Sequence, residues 1–248
     1  MKKKVLITGA SSGIGQAAAR LFGANGYALT ITGRRIDLLE SLNQELSTMP
    51  CGPATLLHFD VRNPEDVQAN LAGQLFDIAI LNAGLARGLG PLHEGEFSDW
   101  QEMLDTNVSG LAYTAKYVAA EMVKAQQGHL IFMGSTAAKM AYPNGAVYCA
   151  SKMAVQGIAD AMRLELLPHH VKVSAIHPGM VADTEFSTVR FHGDSERAST
   201  VYNGFSALTA ADVAEVLYFM ATCPPHVNLS DVVLTPAAQA DSRMTHRQ

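Results

Sequence analysis

Cysteine is scarce in this chain. Cys51, Cys149 and Cys223 are the three in 248 residues, with no C-x-x-C pair and no clustering with histidine. That pattern excludes a disulfide framework, offers no metal site, and fits a reducing compartment. Charge is sparse as well: charged residues make up 17% and the formal net charge is −5. Nucleic acid wants a basic face, so it is excluded as a partner. No apolar run approaches the roughly 20 residues that cross a bilayer, which argues against a membrane. The opening MKKKVLIT imitates a secretory signal, but the glycines at 9, 13 and 15 cut its apolar stretch short. No linker, repeat or low-complexity tract divides the chain. The expectation is a cytoplasmic protein with one domain over residues 1–248, whose 48% hydrophobic content supplies a large core.

What is present is an alternation of two periodicities. Apolar runs at residues 4–8, 28–32, 55–59, 76–81, 128–134, 171–176 and 231–235 read as strands. Helical patterns lie at 14–25, 36–47, 107–126 and 148–166, and a last helix starts at Thr209, with Asp212 three residues on. The strands are unbroken apolar runs, as needed when helices cover both faces of a parallel sheet. The fold class predicted is therefore α/β: a Rossmann-like, doubly wound sheet of seven parallel strands with right-handed crossovers. Residues 185–206 stand apart, polar and poorly periodic with Gly193 and Gly204, and read as a lid-like segment.

The first strand runs into TGASSGIG at residues 8–15 and then into a helix. Gly9, Gly13 and Gly15 permit a tight turn, close approach of backbone to a pyrophosphate, and close helix–strand packing. Ser11, Ser12 and Ile14 complete the loop, and the helix N-terminus adds free N–H groups and a positive dipole end. Dinucleotide folds that select NAD carry an acidic residue near the end of the second strand. Here that strand ends in TGRR, and Arg34 and Arg35 suit the 2′-phosphate of NADP(H), each charge-assisted bond contributing roughly 1.5–3 kcal/mol.

In YCASK, Tyr148 and Lys152 stand four apart on a helix and share a face. A cation beside a phenol favours the phenolate, and a Tyr acting near neutral pH needs its pKa lowered by about two to three units. With these pieces together the whole chain resembles the single-domain short-chain dehydrogenases/reductases. TGASSGIG matches that family's cofactor loop, Asp60–Val61 its adenine-contact pair, and Asn82, Ala83 and Gly84 its fourth-strand turn. HPGMVADTEF, with Pro178, Gly179, Val181 and Thr184, resembles the segment beside the nicotinamide. The resemblance implies a catalytic set of Asn107, Ser135, Tyr148 and Lys152. Tyr148 would exchange the proton, Lys152 would lower its pKa and hold the nicotinamide ribose, Ser135 would bond the reacting oxygen, and Asn107 would hold a water. One departure is Leu81, where the family has an asparagine that braces the sheet.

A narrower resemblance lies in TEFSTVRFHGD, ALTAADVAE, PPHVN and the terminal HRQ, which look like the NADP-dependent 3-hydroxy acid dehydrogenases and the related sulfoacetaldehyde reductases. It implies a small anionic substrate with a carboxylate or sulfonate end, and a homotetramer whose tail packs near a neighbouring subunit. Arginine's planar fork suits such an anion. Arg190 is the candidate preferred among Arg87, Arg190, Arg243 and Arg247, with Ser135 and Tyr148 completing the substrate site and Lys139, Met140 and Tyr142 as further lining. Reduction of a diketone or acyl thioester is the alternative, and a non-catalytic NADP-binding regulator a more distant one.

Overall fold

The computed structural model describes residues 2–248. Strands β1 (Lys4–Ile7), β2 (Ala28–Gly33), β3 (Thr55–His58), β4 (Ile78–Leu81), β5 (Gly128–Met133), β6 (Val171–Pro178) and β7 (Asp231–Leu234) form one parallel sheet in the order 3-2-1-4-5-6-7. The helices are α1 (Gly13–Ala24), α2 (Ile36–Ser47), α3 (Pro64–Leu71), α4 (Phe97–Leu104), α5 (Leu111–Ala125), α6 (Ala146–Leu166), α7 (Phe186–Arg190), α8 (Ser195–Thr200) and α9 (Ala210–Thr222).

Alternation along each strand builds two cores, because successive side chains point to opposite faces. Val5 and Ile7 of β1 and Ile78 and Ile80 of β4 pack under α1, α2 and α9, against Phe22, Leu42 and Leu217. Leu6, Ala79 and Leu81 point the other way, under α3, α5 and α6, against Leu71, Val118 and Val155. A strand with both faces buried must be apolar throughout, and these are.

Three regions differ from the sequence reading. Helix α3 was not anticipated, although Asn63 caps it by accepting bonds from the N–H groups of Glu65 and Asp66, with Pro64 in the first turn. The helix expected from Asn107 begins earlier: α4 runs through a π-helical turn, Asp105–Gly110, into α5. The polar stretch FSDWQEM hides α4, and the extra residue of a π-turn, common at functional sites, breaks the helical period. In residues 185–206 the expected loop holds two short helices, α7 and α8.

Far from the carboxyl ends of the strands, buried His129 at the start of β5 meets the Ser174 hydroxyl on β6 at 2.8 Å, and Ser174 donates to Asn228 Oδ1. Burial, helped by the Lys172 charge, lowers the His129 pKa to about 3. The unfolded chain therefore binds a proton here that the folded chain refuses, and stability is lost as pH falls from about 6.5 toward 3. His129→Gln is expected to flatten the urea-unfolding free energy below pH 6.5 by a slope that approaches about 1.4 kcal/mol per pH unit near pH 5, relative to the native protein. Parallel slopes for the two proteins would contradict it.

Candidate active site

The strand order reverses between β1 and β4, whose partners lie on opposite sides, and in such sheets ligands bind outside the carboxyl ends at this switch point. A cleft of about 1150 Å³ opens there. Every cofactor position read from the sequence lines it except Gly15, which lies beneath. Gly9 takes φ +66°, and a Cβ on it would come within 2.9 Å of Ala83 Cα. A Cβ on Gly15 would strike the Gly9 carbonyl. The glycine loop and the β4 turn are thus pressed together, and side-chain hydrogen bonds pin them. Asn82 Nδ2 donates to the carbonyls of Thr8 (2.9 Å) and Gly9 (3.1 Å). Thr8 Oγ1 accepts from the N–H groups of Asn82 and Ala83, both at 3.0 Å. Leu81, at the departure from the family pattern, is buried in the second core.

Four residues read as a set also converge. The Ser135 hydroxyl accepts from the Ala137 N–H at 3.1 Å, so its own proton is free to be donated outward. Lys152 is buried and donates to the Met133 carbonyl at 2.9 Å, and burial lowers its pKa to about 8. Asn107 lies behind the cleft. Its Oδ1 accepts from the Leu85 N–H at 2.8 Å, while its Nδ2 donates to the Leu85 carbonyl at 2.8 Å and to Ser151 Oγ at 3.0 Å. Both amide N–H groups are therefore committed to framing the site. Gly84 fits between: a Cβ there would sit 3.2 Å from Asn107 Oδ1 and 3.4 Å from Lys152 Nζ.

For Tyr148 the expected downward shift is reversed. Burial raises its pKa well above the ordinary phenol value and the neighbouring Tyr142 adds to this, while the Ser135 hydroxyl and the Arg190 charge pull the other way. Lys152 Nζ stands 6.0 Å from the ring centroid and itself loses its proton more readily through burial, so it is a weak partner for the phenolate. Burial therefore favours the neutral phenol form of Tyr148.

Arg190 is buried beside it, with its guanidinium carbon 5.6 Å from the ring centroids of both Tyr148 and Tyr142. Nε donates to the Gly88 carbonyl and Nη1 to the Tyr142 hydroxyl, each at 3.0 Å. Nη2 is buried without a hydrogen-bond partner among the described residues. The other arginine candidates are engaged. Arg87 pairs with Glu102 at 2.6 Å, Arg243 with Asp241 at 3.0 Å, and Arg247 donates to the carbonyls of Val201 and Asn203. Tyr142 lines the cleft, but Lys139 points to Asp231 and Gln156 and Met140 is outside it. The tail packs on its own chain, Gln248 N–H donating to the Gly204 carbonyl at 2.8 Å. Near the second strand Arg34 keeps only loose ion pairs, 3.9 Å from Asp60 and 3.8 Å from Glu102, whereas Arg35 is joined to Glu185 at 2.6 Å.

A profile of the short chain dehydrogenases matches residues 3–194. The chain belongs to the short-chain dehydrogenase family. This dehydrogenase is 42% identical over 241 residues to an NADP-dependent 3-hydroxy acid dehydrogenase of Salmonella typhi, covering 95% of this chain and 96% of that protein. It is 38% identical over 242 residues to a sulfoacetaldehyde reductase of Chromohalobacter salexigens, covering 95% and 94%. A closed form of serine dehydrogenase complexed with NADP+ superposes with a TM-score of 0.92 at 38% identity, over 99% of this chain and 100% of that one.

Sequence reading missed several residues that shape the dehydrogenase's cleft. Phe186 packs edge-on against Tyr148 at 5.7 Å between centroids, and Gln239 accepts from the Met180 N–H at 2.8 Å. Thr8 at the strand end gives the one usable signal, a hydroxyl leading a glycine turn; the other two act across long sequence separations. Because Lys152 titrates near 8, a step that needs its ammonium fails above that pH. Carbonyl reduction is expected to fall about tenfold per pH unit above pH 8. A flat profile to pH 9.5 would contradict the role of that proton.

Proposed function

We propose that the dehydrogenase uses NADP(H) to interconvert a small 3-hydroxy acid, or its sulfonate analogue, with the corresponding carbonyl compound. The observation that carries this reading is the buried Arg190, whose Nη2 lacks a partner among the described residues next to the Tyr148 phenol. Leaving a buried charged donor unpaired costs on the order of 1–3 kcal/mol or more, and an oxyanion from a substrate removes that cost. Anion and reacting oxygen would then lie close together, which limits the substrate to a short chain. Malonic semialdehyde and sulfoacetaldehyde both fit, because a guanidinium meets carboxylate and sulfonate oxygens in the same forked way. Names carried by the two relatives support the same pair of substrate classes.

The cofactor residues fit a 2′-phosphorylated dinucleotide. The Gly9–Gly15 contact keeps side chains out of the pyrophosphate path, and Arg34, just past the end of β2, is a cation held only loosely by its carboxylate neighbours. Bound there, the cofactor supplies or accepts the hydride. The protein's own part is proton and oxygen handling. In reduction the neutral Tyr148 phenol donates its proton to the carbonyl oxygen, and the outward Ser135 O–H holds that oxygen in place. Lys152 keeps two donors beyond its bond to Met133, enough to hold a ribose hydroxyl and return a proton to Tyr148. Asn107 fixes the wall behind Gly84. Residues 185–206 act as the lid that brings Arg190 to the site. Phe219 and Val233 leave exposed apolar surface on α9 and on the edge strand β7, which supports assembly into a homotetramer.

NADPH oxidation with malonic semialdehyde, sulfoacetaldehyde and neutral propanal tests the reading. The two anions are expected to exceed propanal in kcat/KM by about tenfold to a hundredfold, the range of one charge-assisted bond. Tyr148→Phe is expected to lose about 100- to 10,000-fold in kcat with each. Propanal turned over as well as the anions would refute the small-acid assignment.

A further inference from the structure

We propose that Glu185 is a specificity-determining residue: a built-in anion that competes with the cofactor's 2′-phosphate for Arg35. The proposal rests on the NADP(H) reading above and concerns a residue with no role in it. Arg35 and Glu185 are 150 positions apart, one following β2 and the other preceding α7, yet they meet as a fork. Arg35 Nη1 donates to Glu185 Oε1 at 3.0 Å and Nη2 to Oε2 at 2.6 Å. Arg35 Nη2 also reaches the hydroxyls of Ser12 (2.9 Å) and Ser11 (3.3 Å), in the glycine loop itself. The carboxylate therefore stands among the groups that receive the cofactor's phosphates, and all four residues line the cleft. Hydrogen bonding to Arg35 favours the charged form of Glu185, so it is an anion when a phosphate arrives.

A phosphate monoester carries about −1.5 to −2 charge and three acceptor oxygens, against one charge and two oxygens on the carboxylate. The phosphate wins Arg35 on charge, and Glu185, 49% exposed, is free to turn into solvent. Winning still requires breaking a forked pair or tolerating a like charge beside it. NADH carries a 2′-hydroxyl, leaves the pair intact, and escapes this penalty. Glu185 thus lowers the preference for the phosphorylated cofactor, while Arg34, held only at 3.8 and 3.9 Å by its nearest carboxylates, is open to the phosphate from the outset.

Fluorescence titration of NADPH and NADH against the native protein, Glu185→Gln, Arg35→Gln and the double variant tests this without turnover. Exposed pairs of this kind are weak, so Glu185→Gln is expected to tighten NADPH binding by about three- to fivefold. NADH binding is expected to be unchanged, and the gain to vanish when Arg35 is already Gln. Weaker or unchanged NADPH binding in Glu185→Gln, or equal tightening of both cofactors, would overturn the competition. Native protein that binds NADH as tightly as NADPH would overturn instead the cofactor reading beneath it.

Discussion

A desolvated guanidinium in contact with a phenol sets the character of this site. Arg190 spends Nε on the Gly88 carbonyl and Nη1 on the Tyr142 hydroxyl, which leaves Nη2 without an acceptor among the described residues. The same charge opposes, without cancelling, the effect of burial on Tyr148. Burial sets the protonation state and Arg190 moderates it. In the proposed reading the phenol is the proton donor for reduction, and it is less costly to ionise than the same ring in a wholly apolar pocket. In that reading one residue would both choose a short anionic substrate and adjust the acid that acts on it.

That arrangement depends on backbone placed by the sheet. Thr8 and Asn82 exchange side-chain and main-chain hydrogen bonds across β1 and β4, which locks the glycine loop to the turn that carries Ala83 and Gly84. Asn107 extends the lock to Leu85 and, through Ser151, to α6. From there the chain leads to Gly88, whose N–H accepts no freedom either: it donates to the Arg190 carbonyl at 2.9 Å. Hydrogen bonds made along residues 82–88 thus tie the glycine loop, the helix bearing Tyr148 and Lys152, and the segment bearing Arg190 to one stretch of backbone.

Much of this was legible in the sequence, for local reasons. Strand and helix periods, the glycine loop and YxxxK spacing are short-range signals, and the sheet order and the cleft lining agree with them. What escaped depends on distance or dielectric. Helix α4 and the π-turn carry no clean period, and the fork between Arg35 and Glu185 spans 150 positions. The direction of the Tyr148 shift differs from the expectation because a Lys four residues away is visible in sequence, whereas burial of the ring is not. Arg190 was the favoured of four arginines without a geometric reason. The structure supplies one, since the others are committed to Glu102, Asp241 or backbone carbonyls.

The central claim is that Arg190 Nη2 receives the substrate's anion, and equilibrium binding tests it apart from catalysis. Calorimetric titration of the NADP+-loaded protein with 3-hydroxypropionate and with isethionate would be compared between the native chain and Arg190→Met. The account predicts binding weakened by about tenfold to a hundredfold in the variant, with NADP+ affinity retained, as for loss of one charge-assisted bond. Equal affinity of the two proteins for both anions would contradict it and move the anion site elsewhere in the cleft.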